Sequence, residues 1–404
     1  MENLHQGIPN LNKQRNKKGI LTTINLASQY RSEFPIFERL TYVNSCSHGA
    51  LAKTVKESFT TYISTLEEKG SSWNEWVTQQ EILRKLMAQF LSAAPEEIAI
   101  TTSASAGINA LATSLNFSGK RNKIVTTNNE FPTMGQIWHA QESRGAKVVH
   151  IPNKSDLTVD TQALIDAIDD ETLLVAIAHV CYRNGVRTDI HPIIEAAHKK
   201  GALVVLDAYQ SVGSLSLNVN EIKADIIVGG LQKYMLAVPG VGFMYARQST
   251  TSALVPTITG WFAAQDIFAM KIDSYQPAQH ARRFENGTPN VAPLYPATAA
   301  LELILEIGIL NIEKYVSTIH EALREGIAEI GGTIVTPRNS ESHGALLAVA
   351  STDENAHVSA LEEIGIITSS RDGNVRLSPH FYNNFEDVEK IINGFIKTKA
   401  FLSK

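Results

Sequence analysis

A chain of 404 residues exceeds what one hydrophobic core usually supports, which predicts a large domain with a smaller one attached. A net charge of -5 and a pI near 6.2 exclude the basic face of a nucleic-acid-binding protein, and no apolar run approaches the length of a membrane span. Two cysteines, Cys46 and Cys181, are too few for a disulfide framework and fit a reducing compartment, so the cytoplasm is the expected location.

The first half of the chain shows an alternating pattern of strands and helices. Polar and basic residues without the apolar stretch of a secretory signal open the chain and predict a flexible arm within residues 1–40. Residues 50–95 are predicted to be mostly helical. From residue 96 to 246, short apolar runs alternate with amphipathic segments, which predicts an α/β fold with a mostly parallel sheet. The predicted strands are Ile98–Thr101, Lys123–Thr127, Lys147–Ile151, Leu173–Ala178, Leu203–Leu206, Asp225–Val228 and Val241–Tyr245.

The pattern changes after FENGTPN at residues 284–290. Two long amphipathic helices are predicted in LYPATAALELILEIG and IEKYVSTIHEALREGIAEIGG, followed by strand-like segments and a final helix. The predicted division is therefore an arm (1–40), a large domain (41–290) and a smaller α+β domain (291–404).

One lysine stands out in an otherwise apolar stretch, ADIIVGGLQKYMLAVPGVGFMYA. Lys233 could extend from a strand end to solvent, or it could be buried and therefore lose its charge, which makes the amine a nucleophile. Asp207 also follows an apolar strand, 26 residues earlier (233 − 207), at the position where open α/β sheets bind ligands. An acid for a pyridinium nitrogen and a lysine for a Schiff base are the pair that pyridoxal phosphate chemistry needs.

The segments LDAYQSVG, ADIIVGGLQKY and PGVGFMYA resemble the class V aminotransferase family of fold-type I pyridoxal phosphate enzymes. Cysteine desulfurases, selenocysteine lyases, kynureninases and isopenicillin-epimerase-like proteins belong to that family. The resemblance extends from YVNS at residue 42 to NVRLSPHFYN at residue 374. It implies a seven-stranded, mostly parallel sheet, a smaller C-terminal α+β domain, an amino-acid substrate and a homodimer.

The resemblance also implies roles for particular residues around the cofactor. Lys233 falls on the Schiff-base lysine, Asp207 on the acid that keeps the pyridine nitrogen protonated, and Gln210 on a contact to the phenolic oxygen. In ITTSASAGINALA, Ala104 and Ser105 fall on a phosphate-binding turn that opens a helix, where free N–H groups favour an anion. The other implied cofactor contacts are Phe131 stacked on the ring, Gln232 beside the lysine, and Thr288 and Trp261 reaching the partner's phosphate across the dimer interface.

Four residues are candidates for the substrate. Arg376 in NVRLSPHFYN falls on the arginine that binds the α-carboxylate, for which a planar guanidinium fork is suited. Tyr182 and Arg183 in HVCYRNG, together with His48, are further candidates around the substrate side chain. No metal site is predicted.

Some positions differ from the motifs of the desulfurase and kynureninase branches of the family. Residues 351–375 lack the cysteine of desulfurases, Gln232 replaces their histidine, and Tyr234 follows the lysine where kynureninases place tyrosine before it. The expected function is a β-lyase that cleaves a C–S or C–C bond, with an aminotransferase or epimerase as the alternative and a persulfide-forming desulfurase less favoured. The sequence lacks the G-x-G-x-x-G motif that a dinucleotide-binding oxidoreductase needs, which argues against that function. An inactive scaffold protein would be expected to lack Lys233 or Asp207, and both are present.

Overall fold

A computed structural model describes residues 25–403 of the chain. Within these residues, twelve strands form one large and two small sheets. The strands are β1 (Thr41–Tyr42), β2 (Ile98–Thr101), β3 (Lys123–Thr127), β4 (Lys147–Ile151), β5 (Thr172–Ala178), β6 (Leu203–Asp207), β7 (Ile226–Gly230), β8 (Gly242–Ala246), β9 (Leu347–Ala350), β10 (Ile366–Ile367), β11 (Ser369–Arg371) and β12 (Asn374–Leu377).

The large sheet has seven strands in the order β2-β8-β7-β6-β5-β3-β4. Only β8 runs antiparallel to its neighbours; the other pairs are parallel. The central strands β6 and β7 are almost entirely buried, because helices cover both faces of the sheet. The predicted α/β architecture of fold-type I is therefore confirmed.

The predicted strand bounds agree with the structure to within two residues. Strands β2, β3 and β4 match at both ends. The prediction ended β6 at Leu206, but Asp207 still pairs with Ala178 and Val228 in the sheet. The carboxylate therefore belongs to the last residue of a central strand, which fixes its position more firmly than a loop would.

Helices follow most of the strands, as the alternating pattern predicts. Pro132 opens one of them at its first position, where a missing N–H is harmless. The helices are α1 (Leu26–Tyr30), α2 (Lys53–Lys69), α3 (Trp73–Leu91), α4 (Ala104–Ser114), α5 (Pro132–His139), α6 (Thr161–Asp166), α7 (His191–Lys199), α8 (Val219–Ile222), α9 (Gln248–Thr251), α10 (Val291–Ile307), α11 (Ile309–Glu329), α12 (Glu354–Glu363) and α13 (Phe385–Lys397).

The C-terminal part contains the three-stranded antiparallel sheet β11-β12-β9 and the long helices. Helix α10 packs on α2 and α3, while α11 packs on α13. Strand β1 pairs with β10, and Arg31 forms a 2.6 Å ion pair with Asp387, so residues 25–42 attach to the C-terminal part. Residues 1–24 of the predicted arm lie outside the described residues, and the domain boundaries stay predictions.

Among residues 25–403, no single helix is both long and apolar enough to cross a membrane; α10 and α11 reach the criterion only as a pair, which bends by 80°.

Candidate active site

The carboxyl ends of the parallel strands surround a cavity of about 250 Å³. Its wall is formed by the turn that opens α4, the loops after β3 and β5, the end of β6 and the turn after β7. This is the edge of an open α/β sheet at which ligands bind. Eight predicted site residues line it together: Ala104, Ser105, Phe131, Tyr182, Asp207, Gln210, Gln232 and Lys233.

Lys233 lies in the turn after β7, and the accessible part of its side chain faces the cavity. The pKa of its amine is lowered to about 8, mainly by burial; Cys46 and Asp207 oppose this shift, while the charges of Arg376 and Arg371 contribute to it. Nζ lies 4.4 Å from the centroid of the Tyr209 ring and 5.7 Å from that of Phe131. Weak hydration explains why this lysine can hold a neutral, nucleophilic amine.

The backbone around Lys233 is held from both sides. Gly49 donates its N–H to the Gln232 carbonyl at 2.8 Å, and His380 contacts the Tyr234 carbonyl through Nε2 at 2.8 Å. A Cβ on Gly49 would collide with the Lys233 carbonyl oxygen, so only glycine permits this approach. These contacts fix the direction from which the lysine enters the cavity.

Asp207 is buried at the end of β6, and its side chain accepts the Tyr209 N–H at 2.8 Å, its one hydrogen bond from residues 25–403. Burial raises the pKa of its carboxyl, although the Tyr209 N–H and the Lys233 charge favour the ionised form. An ionised carboxylate here therefore needs a cationic partner inside the cavity.

The turn before α4 offers unpaired donors. Ser103 caps the helix by accepting the Ala106 N–H at 3.1 Å, and Ala104 and Ser105 stand in the first turn, where N–H groups lack intrahelical partners. Gly242 on β8 lets this turn come close, since a Cβ there would lie 2.7 Å from the Ser103 carbonyl carbon. The helix N-terminus is thus open to an anion from the cavity.

Phe131 and Gln210 complete the cavity wall. The Phe131 ring is 42% exposed and meets Tyr182 edge-on, with centroids 4.9 Å apart. Gln210 donates Nε2 to the Cys46 carbonyl at 3.1 Å, and its buried Oε1 has no partner within residues 25–403. The cavity wall therefore contains an exposed aromatic face and an orphaned polar atom.

Arg376 lies on β12, buried beside the cavity. Its guanidinium donates to the Tyr182 carbonyl at 2.8 Å and to the hydroxyls of Ser369 and Ser47 at 2.9 and 3.2 Å. All three acceptors are neutral, Nε is unpaired, and no acid in the described part of the chain forms an ion pair with Arg376. A buried cation without a counter-ion is suited to an anionic ligand.

Arg183 and His48 do not line the cavity itself. Arg183 bonds to the Asn128 carbonyl, pairs with Asp372 at 3.5 Å and lies 5.6 Å from the centroid of the Tyr182 ring. His48 Nδ1 contacts the Gly49 carbonyl at 2.6 Å. Their substrate roles stay predictions.

Trp261 and Thr288 are also absent from the cavity wall. They lie together, with the indole N–H donating to the Thr288 hydroxyl at 3.3 Å. The predicted role of both residues across a dimer interface stays a prediction, because it concerns a partner chain.

Two residues near Lys233 and Asp207 were not predicted from the sequence: Tyr209 in the cavity wall and Glu130 behind it. Tyr209 packs on Gly230 and faces Lys233. Glu130 accepts the Thr127 hydroxyl and the Ala178 N–H at 2.8 and 2.9 Å. Burial raises the pKa of its carboxyl to about 8, and the nearby Asp207 contributes in the same direction. In the sequence, an acidic residue directly before the candidate Phe131 could have indicated Glu130.

The lowered pKa of Lys233 predicts a pH dependence for cofactor capture. Capture requires the neutral amine, whose fraction rises about tenfold between pH 7 and pH 9 for a pKa of about 8. The rate at which apoprotein gains the cofactor's visible band should rise over this range and level off above it. Nα-acetyl-lysine, with an ordinary amine, is the control, and its rate should keep rising past pH 9. If the capture rate of the protein kept rising past pH 9 as that of Nα-acetyl-lysine does, the lowered pKa of Lys233 would be contradicted.

Comparison with known proteins gives consistent matches. A model of the family "Aminotransferase class-V" matches residues 49–391. The uncharacterized aminotransferase YcbU of Bacillus subtilis is 35% identical over 370 residues, covering 91% of this chain and 97% of that protein. Kynureninase of Bacillus mycoides is 29% identical, covering 89% and 88%. A cystine C–S lyase, C-DES, solved with its product cysteine persulfide, superposes with a TM-score of 0.81 at 22% identity, covering 89% and 98%.

The cavity fits the cofactor that this family uses. The open N-terminus of α4 can hold its phosphate, and the buried Asp207 can pair with its ring nitrogen. Beside the amine of Lys233, the unpaired Gln210 Oε1 and the exposed face of Phe131 are available to contact the cofactor ring. The chain belongs to the class V aminotransferase family, and pyridoxal phosphate is its cofactor.

Proposed function

We propose that the protein is a β-lyase that cleaves a C–S or C–C bond in the side chain of an amino acid. The observation that carries a substrate of this class is Arg376, a buried guanidinium with neutral partners only, next to the cavity of Lys233. The α-carboxylate of an amino acid supplies the missing charge and accepts two parallel hydrogen bonds.

The residues around Arg376 orient the substrate. Tyr182 accepts from Arg376 through its carbonyl and also lines the cavity, so a carboxylate on the guanidinium directs the amino group towards Lys233. The hydroxyls of Ser47 and Ser369 hold the guanidinium in place until the substrate arrives.

Proton transfer is assigned to Lys233 and charge control to Asp207. When bound, pyridoxal phosphate supplies an electron sink that weakens bonds to the substrate's α-carbon. Lys233, with a pKa of about 8, accepts the proton from that carbon and returns it later in the cycle. Asp207 would hold the ring nitrogen of the bound cofactor and favour its protonated form, because a buried carboxylate is stabilised by an adjacent cation.

The lyase assignment is supported by a structural neighbour named as a cystine C–S lyase and by a relative named as a kynureninase. The alternative is an aminotransferase, as the Bacillus subtilis relative is named, or an epimerase. A persulfide-forming desulfurase is disfavoured, because residues 351–375 contain no cysteine and Cys46 is buried.

The proposal includes a homodimer in the cytoplasm. In it, Thr288 and Trp261 reach the partner's phosphate site, and the chain divides after residue 290 into the large and small domains. Exposed apolar side chains in the segment after Trp261, including Phe268, Met270 and Ile272, support an interface there.

The test separates the three reactions by their products. Holoenzyme is incubated with a panel of L-amino acids, with and without a 2-oxo acid as amino acceptor. We expect pyruvate and ammonia, or alanine, to be released without an acceptor. Product formation only with the acceptor would replace the lyase by an aminotransferase, and a D-amino acid as the sole product would indicate an epimerase.

A further inference from the structure

A short hairpin lies next to the cavity wall, where Arg376 donates to the carbonyl of the lining residue Tyr182. It is formed by β11 and β12, joined by Asp372 and Gly373, whose φ angles are 50° and 78°. Positive φ at both positions is the geometry of a tight two-residue turn, for which Asp-Gly is a favoured sequence. Asn374 also donates Nδ2 to the carbonyls of Asp372 and Arg371, at 2.8 and 3.3 Å. The tip is therefore a well-defined structure.

The register of the hairpin decides which side chains face the cavity. Ser369 is the cross-strand partner of Arg376 and accepts its N–H through Oγ at 2.9 Å. Alternate residues of a strand share a face, so Arg371 lies on the face of Ser369. Ser370 faces the other way, donating to Asn355 on α12 at 3.0 Å. Arg371 thus lies towards the tip on the face of the hairpin that carries Arg376.

An ion pair joins the tip to a residue beside the cavity wall. Asp372 forms an ion pair with Arg183, which lies against the ring of Tyr182 in the cavity wall. The charge of Arg371 reaches Lys233, since it contributes to lowering the pKa of that amine.

Positive charges outnumber negative ones around the hairpin tip. Asp372 neutralises Arg183, whereas Arg376 has only neutral partners. Arg371 is exposed and forms no side-chain hydrogen bond or ion pair within residues 25–403. The α-carboxylate of a substrate balances Arg376 alone, which leaves the guanidinium of Arg371 without an anion.

We infer that Arg371 determines specificity by binding a second acidic group, a carboxylate or sulfinate, on the substrate side chain. The preferred substrates are then acidic amino acids. The inference rests on the proposed function, and it assigns the substrate class of the same site.

Binding of unreactive acids tests the inference independently of turnover. Succinate carries two carboxylates and propionate one, and both are titrated into holoenzyme by calorimetry. We expect succinate to bind about tenfold more tightly than propionate, the size of one charge-assisted hydrogen-bonded contact. R371Q should remove this difference without weakening propionate, and R371K should restore part of it. R338Q, at an exposed arginine outside the hairpin, is the matched control.

Every outcome of this experiment either supports or contradicts the role of Arg371. Equal affinities for the two acids in the unaltered protein, or equal weakening of both acids by R371Q, would overturn the role of Arg371. The enzyme could prefer succinate through Arg371 and yet form product only by transferring amino groups. That combination would support the role of Arg371 and contradict the lyase activity. In turnover, R371Q should raise KM for acidic amino acids about tenfold and leave KM for neutral ones unchanged.

Discussion

Replacing Lys233 by alanine is expected to abolish covalent attachment of pyridoxal phosphate and to lower kcat by roughly 10³-fold or more. Among residues 25–403, Lys233 is the one lysine that lines the cavity, and the neighbouring Tyr209 and Phe131 rings offer no replacement amine. Fold and cofactor affinity should change little, because the donors at the α4 N-terminus and Asp207 remain.

The measurement is borohydride reduction followed by peptide mass mapping, with turnover of the best substrate. The unaltered protein should carry the pyridoxyl mass on Lys233, and Lys233→Ala should carry none. Lys199→Ala is the matched control, since Lys199 is an exposed lysine of α7 that pairs with Glu195. Pyridoxyl mass on another lysine in the unaltered protein would reject the assignment.

Asp207→Asn is expected to lower kcat by roughly 10²–10³-fold while the protein still binds its cofactor. Asparagine keeps an oxygen for the Tyr209 N–H but loses the charge that holds a proton on the ring nitrogen. The loss should appear in kcat more than in KM, because Arg376 and its partners are unchanged.

A cofactor analogue methylated at the ring nitrogen checks the cause. Its permanent positive charge should return part of the activity to Asp207→Asn. Asp225→Asn is the control, because Asp225 is a buried aspartate just before β7, at the opposite edge of the sheet, bonded to Val204 N and His198. We expect it to reduce stability and to leave kcat unchanged. Equal kcat losses in both variants would point to a general packing effect.

The fold and the grouping of Asp207, Lys233, Ala104 and Ser105 at one edge of the sheet were predictable, because they follow from local patterns. Apolar strands ending in Asp207 or leading to Lys233 place both residues at one sheet edge, and a small-residue turn before a helix places Ala104 and Ser105 there too. These relations need only the order of strands along the chain.

The substrate side depends on contacts between distant segments, which a single sequence does not specify. Arg371 gains its position from the pairing of Ser369 with Arg376, and Glu130 from an N–H on another strand. The placement of Arg183 was left open for the same reason, because its partner Asp372 lies 189 residues (372 − 183) along the chain.

The pairing of the two ends of the chain has a consequence for biosynthesis. The segment before Gly49 is tied to the last third of the protein, through Asn44 opposite Ser378 and the Cys46 N–H donated to the Ser378 hydroxyl at 2.9 Å. Directly after this segment, Gly49 donates its N–H to the Gln232 carbonyl, beside Lys233. Contacts across more than 300 residues form late, because closing such a loop costs entropy and needs both ends. A nascent chain therefore carries Asp207 and Lys233 before Ser378 is synthesised, and the contacts that tie residues 44–46 to Ser378 form only after that residue is in place.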